Sequence, residues 1–267
     1  MNEYVEKVQR RNRKTGQTVS NGVIFSGKTT CPFNTGILEE SNSLFEILLR
    51  DSRVSQDLAV NLVMALLRTG IDSTGNALAF FLYNLANNPD KQQAVVDEID
   101  DVIPTGTAVT PEHLQRMSYL KAALRESFRL HYPVFGGSGR VMPDDTVFSN
   151  YNVPKRVFIF ANMAAMSRME EYFPKPEEYH PERWLRDERA HLRTSWSHES
   201  GFLSLGFSHG LRACPGRRFA EQGLYLAVIS ILRKYRLEYH DDEIGMIHMP
   251  FTTPDRPLNI KFVSRNQ

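Results

Sequence analysis

The chain has 267 residues, of which 41% are hydrophobic and 24% charged, so it is long enough to bury one large core. Its 32 basic and 31 acidic residues give a net charge of +1, which offers no general argument for a nucleic-acid partner. Cys31 and Cys214 are the only cysteines, and their wide separation excludes a disulfide framework and predicts a reducing compartment.

The N-terminal region is predicted to begin with a helix over residues 1–14, followed by a loop over residues 15–40 that contains a short strand, Val23–Phe25. It has no apolar segment of the kind found in signal peptides. No apolar stretch of the chain reaches the roughly 18 residues of a membrane-spanning helix, so no such helix is predicted. A short helix is predicted over residues 43–50.

A long apolar helix is predicted from Ser55 to Asn87, before the stop signal of an Asn-Pro pair. Its apolar runs predict that it is buried, and Gly70 is expected to let it open where a polar segment interrupts those runs. An acid beside hydroxyl groups can relay protons into a dry cavity, and the segment holds such a set: Asp72, Ser73 and Thr74. Taken alone, the segment is more simply interpreted as a solvated or capped helix kink.

Most of the remaining elements are helical. Helices are predicted over residues 90–102, 118–131, 162–167 and 217–235, with a short helical turn at 110–112. Residues 141–159 have a strand-like pattern with turns at 143–145 and 149–150, and short strands are predicted around Pro250 and 254–257. A segment rich in proline and charge covers residues 173–189, and a polar loop covers 190–200. Fold class is therefore predicted as mainly α with small β-sheets.

The segment around Cys214 carries the clearest chemical signal. Two glycines, Gly210 and Gly216, flank the thiol, and Arg212 lies two residues before it. A cysteine at the start of a helix meets partial positive charge that stabilises its thiolate, and a thiolate can ligate haem iron. A lone cysteine is more often a buried structural residue, but this segment resembles the haem-binding signature of the cytochrome P450 family. All fixed positions of Phe-x-x-Gly-x-Arg-x-Cys-x-Gly are matched, beginning at Phe207.

Further motifs support the resemblance. Glu126 and Arg129 match the family's Glu-x-x-Arg element, which implies a structural cluster with Arg183 of the later Pro-Glu-Arg segment. The polar segment of the long helix resembles the family's oxygen-activating segment, with Ser73 in the place of the usual threonine. The resemblance implies Cys214 as the axial ligand of haem b, and it implies contacts from Arg212 and Arg140 to the haem propionates.

Finer features resemble the mitochondrial cytochromes P450 of animals. In that group basic residues on the Glu-x-x-Arg helix receive an acidic ferredoxin, which implies that role for Lys121 and Arg125. A solvated helix face is the alternative interpretation of these two residues. By family analogy a small lipophilic, possibly sterol-like, substrate is expected to contact four residues: Asn76, Phe80, Thr252 and Thr253.

The resemblance implies a cytochrome P450 fold of which residues 1–267 form the C-terminal half. The implied function is a haem-thiolate monooxygenase that uses O2 and ferredoxin electrons at the matrix side of the mitochondrial inner membrane, with peripheral membrane association. Three alternatives stay open: a microsomal enzyme served by a diflavin reductase, a haem-thiolate isomerase or dehydratase, and a truncated chain without haem.

Overall fold

The computed structural model describes residues 43–134, 137–185, 206–249 and 251–265. The chain divides into two compact units, residues 1–55 and residues 56–267. The helix predicted over residues 1–14, the strand at Val23–Phe25, Cys31 and the loop at 190–200 lie outside the described residues. In the first unit, helix α1 (Leu44–Arg50) is capped by the Ser43 hydroxyl, which accepts the Glu46 N–H at 3.3 Å.

The described part of the second unit combines six helices with eight short strands. The helices are α2 (Gln56–Asn87), α3 (Pro89–Val102), α4 (Pro111–Arg116), α5 (Ser118–Leu130), α6 (Met163–Met166) and α7 (Arg217–Leu232). The strands are β1 (Gly137–Val141), β2 (Thr146–Phe148), β3 (Tyr151–Val153), β4 (Phe158–Asn162), β5 (Tyr235–Glu238), β6 (Met246–Met249), β7 (Phe251–Pro254) and β8 (Lys261–Ser264). They form antiparallel pairs, namely β1 with β4, β2 with β3, β5 with β8 and β6 with β7. The predicted class, mainly α with small β-sheets, is confirmed.

Helix α2 has the predicted extent but differs from the prediction in two respects. It runs without a break through Gly70, because the hydroxyls around that glycine donate to carbonyls one turn earlier and do not replace any helical bond. Its first half is also largely exposed, with Leu58 at 45% and Leu67 at 53% exposure. Apart from Ala59, its buried residues begin at Ala77 and are continuous from Phe80 to Ala86.

Helix α7 ends three residues earlier than its apolar period predicted. Its last residue is Leu232, and Tyr235 begins β5, where it pairs with Ser264. The Tyr235 ring packs edge-on against Phe262 with 5.8 Å between ring centroids. An apolar residue at the end of a helical period is equally suited to the next strand, so the period alone could not fix this boundary.

The strand region after α5 follows the predicted order. The turn at Ser149 and Asn150 is confirmed, and both residues have positive φ, of 45° and 69°, as a tight hairpin requires. The first strand begins at Gly137 rather than Val141, because Gly137 to Val141 pair in register with β4. The added Cβ of an alanine at Gly139 would lie 2.1 Å from the Phe158 ring, so glycine allows this close strand contact.

Helix α5 is the most buried helix of the core and is held at its start by a neighbouring helix. Both carboxylate oxygens of Glu98 on α3 accept its first N–H groups, from Tyr119 at 2.7 Å and from Leu120 at 2.8 Å. A buried glutamine, Gln92, joins α3 to β5 by donating to the Leu237 carbonyl at 3.0 Å and accepting the Leu237 N–H at 2.9 Å. These side chains fix α5 and β5 relative to α3.

Among the helices of the described residues, none combines the length and the apolar character that crossing a bilayer would require.

Candidate functional site

The loop that carries Cys214 is closed by backbone hydrogen bonds on both sides of the thiol. The Cys214 N–H donates to the Phe207 carbonyl at 2.8 Å, and the Arg217 N–H donates to the Cys214 carbonyl at 3.4 Å. A single 3₁₀ turn, Gly210–Arg212, lies between these bonds, and α7 begins at Arg217. The thiol itself is free and exposed. The sequence therefore folds into a short hairpin-like loop that presents one sulfur atom.

This loop has left-handed backbone geometry at two positions. Gly210 has φ of 72°, and an added Cβ there would meet no atom within 4 Å, so the glycine is required by backbone conformation rather than by space. Ser208 has φ of 61°, which is unfavourable for a residue with a side chain. The loop thus holds Cys214 at some conformational cost.

Cys214 faces a cleft of about 200 Å³ that brings together parts of the chain up to 151 residues apart in sequence. The wall on one side comes from the polar segment of α2, through Ser73 and Thr74. Apolar side chains make most of the remaining surface. The full lining is Ser73, Thr74, Ala77, Phe128, Tyr132, Pro133, Val134, Gly206, Phe207, Ser208, Arg212, Cys214, Ala220 and Leu224.

Sequence reasoning missed the aromatic residue that supports the cysteine loop from below. Phe128 on α5 is 6% exposed and contacts the Phe207 ring edge-on, with 5.4 Å between centroids and 79° between ring planes. The Arg217 guanidinium lies on the same Phe207 ring, 5.7 Å from its centroid. The position of Phe128 between the two charged residues of the Glu-x-x-Arg element was the available signal.

The helix that carries Phe128 also carries a buried charge cluster centred on Glu126. Arg129 donates to both oxygens of Glu126, through Nε at 3.0 Å and Nη2 at 2.8 Å. Arg183 donates to Oε1 at 2.9 Å, as does the His180 N–H at 3.0 Å. The indole of Trp184 donates to Oε2 at 2.7 Å, a contact that the sequence did not predict. The carboxylate therefore accepts five hydrogen bonds.

The two arginines of the cluster also bind the chain that follows the strands. Arg129 donates to the carbonyls of Ser167 at 2.8 Å, Pro176 at 2.6 Å and Glu178 at 3.0 Å. Its guanidinium also lies 5.2 Å from the centroid of the Phe173 ring. These bonds tie Ser167, Pro176 and Glu178 to α5, so the charges of the cluster are engaged in holding the fold together.

Of the three proton-relay candidates, two line the cleft and one is exposed to solvent. Ser73 and Thr74 line the cleft, whereas Asp72 is exposed on α2. The Ser73 hydroxyl donates to the Thr69 carbonyl at 2.7 Å. The hydroxyls therefore face the same space as Cys214, while the acid lies outside the cleft lining.

Three residues expected near the cofactor or substrate lie elsewhere. Arg140 is exposed on β1 and donates to the Gly139 carbonyl at 2.7 Å. Phe80 is 2% exposed and stacks on His131 at 4.4 Å, because its side of α2 faces the core. Thr252 is fully buried, and its hydroxyl bonds to the Tyr132 carbonyl and to His248. None of the three lines the cleft beside Cys214.

The two other substrate candidates remain accessible. Asn76 is partly exposed on α2, two residues after the cleft-lining Thr74. Thr253 is partly exposed on β7, and its hydroxyl donates to the Ile247 carbonyl at 3.4 Å. Neither lines the cleft directly.

Lys121 and Arg125 lie one turn apart on α5 and differ in exposure. Arg125 is exposed, whereas Lys121 is partly buried and donates to the Gln115 carbonyl at 2.8 Å. Burial lowers the pKa of Lys121, and the charge of Arg125 acts in the same direction, against the opposing effects of Glu98 and Glu221. The surrounding residues of α5, from Ala122 to Leu124 and from Glu126 onward, are buried, so this pair forms the helix's basic outer edge.

Comparison with known proteins agrees with these features. The sequence model of the family described as cytochrome P450 matches residues 1–262. A mitochondrial cytochrome P450 302a1 of Drosophila melanogaster is 33% identical over 85% of this chain and 45% of its own length. A probable mitochondrial cytochrome P450 12e1 of the same species is 34% identical over 87% and 45%. The mitochondrial 1,25-dihydroxyvitamin D(3) 24-hydroxylase of Mus musculus is 35% identical over 73% and 36%.

The chain spans less than half the length of these curated relatives. The family match nevertheless extends over almost all of its residues, and the helix that carries Glu126 and Arg129 also carries Phe128, which contacts the cysteine loop. The chain therefore belongs to the cytochrome P450 family.

Proposed function

We propose that this chain supplies the cysteine-ligand half of a haem-thiolate monooxygenase that oxidises a small lipophilic substrate. The observation that carries the proposal is the cleft in which the exposed Cys214 thiol, Arg212 and the hydroxyls of Ser73 and Thr74 meet. A thiolate donor, a guanidinium and two hydroxyls around apolar walls are the groups that such a reaction needs.

The residues of the cleft fit a haem. The sulfur of Cys214 is free to ligate iron, and no other described residue competes for it. Phe207 and Leu224 provide apolar surface for a porphyrin face, and Arg212 provides a cation for a propionate. Arg140, which is exposed and bonded only to a neighbouring carbonyl among its described contacts, remains a weaker candidate for the second propionate.

A thiolate-ligated haem, when bound, supplies the electron density that favours O–O cleavage. The chain's own residues would hold and protect that group. The N–H groups that follow the sulfur along the chain would tune the thiolate. Ser73 and Thr74 would donate protons inside the cleft, and Asp72 would exchange them with solvent.

The thiolate assignment is tested by substituting the ligand. Haem-loaded protein that carries Cys214→Ala should lose the red-shifted Soret band of the thiolate-ligated carbon monoxide complex, while Ser208→Ala in the same loop should retain it. Because the loop is closed by backbone bonds, Cys214→Ala should leave the circular dichroism spectrum unchanged. A variant spectrum identical to that of the parent would contradict the assignment.

A haem-thiolate isomerase or dehydratase is the second candidate, and the Ser73 geometry favours it. The Ser73 hydroxyl already donates to the Thr69 carbonyl, so it would have to turn before it could donate a proton in the cleft. Turnover under nitrogen separates the two candidates, because an isomerase needs no oxygen and a monooxygenase stops without it.

An acidic ferredoxin is the electron donor that the basic edge of α5 fits. Lys121 and Arg125 lie on the helix that also places Phe128 against the cysteine loop, so a partner bound there would be close to the ligand side. Their charges would raise the association rate at low salt. The names of mitochondrial relatives support a ferredoxin over a diflavin reductase.

Charge reversal tests this donor. The double variant Lys121→Glu with Arg125→Glu should slow reduction by a mitochondrial ferredoxin by roughly tenfold at low salt, with a smaller effect at high salt. The matched control, Lys155→Glu with Arg156→Glu in the exposed turn before β4, makes the same change in net charge and should have little effect. Equal rates for both variants would contradict the ferredoxin site.

With a ferredoxin as donor, the proposed localisation is the matrix side of the mitochondrial inner membrane, where the protein would associate peripherally. The endoplasmic reticulum is the alternative localisation. Asn76 and Thr253 are the accessible candidates for substrate contact. Their polar groups, outside the apolar lining of the cleft, would suit the hydroxyl or ketone of a lipid such as a sterol.

A further inference from the structure

We infer that Phe128 is a positioning residue: through the Phe207 ring it holds the main chain of Cys214 in the geometry that presents the sulfur to the cleft. The reason to present the sulfur rests on the proposed haem-thiolate function, whereas the contacts of Phe128 do not depend on it. Phe128 touches Phe207, and the Phe207 carbonyl accepts the Cys214 N–H at 2.8 Å. The path from α5 to the cysteine thus has one aromatic contact and one hydrogen bond.

The α5 end of this path is fixed. Phe128 lies between Ser127, whose hydroxyl donates to the Ala123 carbonyl at 3.1 Å, and Arg129, which is bound to Glu126. Both neighbours are almost fully buried. The Phe128 backbone is therefore held by α5, and a large displacement of Phe207 would break the ring contact.

The loop end of the path approaches Phe128 as closely as the chain allows. A Cβ added at Gly206 would lie 3.1 Å from Cδ2 of Phe128, so the ring or the loop would have to yield by a few tenths of an ångström. Gly206 thus lets the backbone rest on the ring next to Phe207. The loop contacts Phe128 at two successive residues, Gly206 and Phe207, and these contacts fix the distance between the loop and α5.

The second contact on Phe207 is weaker. The Arg217 side chain is 53% exposed and is also paired with Glu221, whereas Phe128 is 6% exposed. A cation–π contact at an exposed site contributes less than the burial of an aromatic ring. Phe128 therefore dominates the position of Phe207, and Arg217 adds a smaller restraint.

Amide hydrogen exchange of Cys214 in the full chain without haem tests the inference. Phe128→Ala should speed exchange at Cys214 about tenfold, because the Phe207 carbonyl loses its support and the N–H opens locally. Leu124→Ala is the matched control: it removes a comparable buried side chain one turn earlier on α5, and it should change Cys214 exchange less than about threefold under native conditions. Equal acceleration by both variants would overturn the inference.

Two milder variants keep the test decisive if Phe128→Ala does not fold. Phe128→Leu keeps apolar volume but loses the ring edge, and Gly206→Ala pushes the loop away from the ring. Both should speed Cys214 exchange by an intermediate factor, and Arg217→Ala should do so less. Unchanged exchange in Phe128→Leu and Gly206→Ala would overturn the positioning role.

A second readout concerns the ligated state. In haem-loaded protein, Phe128→Ala should lower the fraction of the carbon monoxide complex that shows the thiolate-type band, and Phe128→Leu should restore part of it. If the parent itself shows no such band, the proposed function fails while the exchange result still decides the role of Phe128. If the parent shows the band and Phe128→Ala leaves its fraction unchanged, the positioning role fails alone.

Discussion

Two glycines, one in the cysteine loop and one in α7, show how much free energy the backbone conformation of the loop costs. Gly210 and Gly223 both have open space where a Cβ would stand, yet they have opposite conformational requirements. Gly210 has φ of 72° in the loop, whereas Gly223 lies inside α7. Left-handed backbone disfavours any side chain, while a helix interior favours alanine over glycine. Their substitutions therefore separate backbone conformation from packing.

Alanine at these two glycines should change stability in opposite directions. Gly210→Ala should lower the free energy of unfolding by about 1 kcal/mol, since a Cβ in left-handed geometry costs about that amount. Gly223→Ala should raise it by roughly 0.5–1 kcal/mol, because glycine weakens a helix interior. Urea unfolding monitored by circular dichroism measures both changes, and changes of the same sign would contradict the described loop conformation.

His131 gives the core a dependence on pH. Burial, helped by the charges of Arg168 and Arg129, lowers the pKa of His131 to about 3 from an ordinary value near 6.5. Its ring stacks on Phe80 and contacts the Asn84 amide at 3.2 Å. Because the unfolded chain binds the proton more readily, the folded state is fully stabilised above about pH 6.5 and loses that stabilisation as the pH falls toward about 3.

Removing His131 should therefore flatten the acid side of the stability profile. His131→Phe keeps a ring to stack on Phe80 but cannot be protonated, so the difference in unfolding free energy between pH 7 and pH 5 should shrink relative to the parent. An unaltered slope in His131→Phe would mean that folding does not lower the pKa of His131.

Among the contacts between elements, the hydrogen bonds of the Glu98 carboxylate join α3 to α5 most directly. It belongs to α3 but caps α5 by accepting the N–H groups of Tyr119 and Leu120. An acid at a helix start is stabilised by the free N–H groups and the helix dipole. Because α5 also carries Glu126 and Phe128, this cap contributes to the platform beneath the cysteine loop.

Loss of this cap should destabilise the fold without altering the cleft lining. Glu98→Ala should lower the free energy of unfolding by about 1–2 kcal/mol, the usual value of a helix cap. Asp97→Ala removes the neighbouring exposed acid, which accepts a hydrogen bond from the Gln93 amide at 2.7 Å, and should cost at most about 0.5 kcal/mol. Equal costs would show that Glu98 does not cap α5 in solution.

At the scale of the whole molecule, local signals in the sequence predicted most elements. The stop at Asn88, the helix over α5 and the turn at Ser149 each depend on neighbouring residues, and the structure confirms them. The pair of Glu126 and Arg129 could be predicted from their spacing on one helix. The contact with Arg183 needed the family resemblance, because Arg183 is far away in sequence. The cysteine loop is similar: its motif indicated the ligand, but its support by Phe128 depends on tertiary packing.

The predictions that differed from the structure depended on long-range packing. The substrate contacts of Phe80 and Thr252, expected by family analogy, stay predictions; the burial of both residues is decided by which neighbours cover each side of α2 and β7. The exposure of Leu58 and Leu67 has the same origin, since their apolar character alone predicted burial. Helix α7 ended early because Tyr235 suits a strand as well as a helix.

The central claim is that the Cys214 sulfur binds haem iron. X-ray absorption at the iron edge of haem-loaded protein tests this claim most directly, because it identifies the atoms bound to the metal. The account predicts one sulfur ligand in the parent and in Leu124→Ala, and none in Cys214→Ala. An iron shell without sulfur in the parent, or one that keeps its sulfur in Cys214→Ala, would contradict the account.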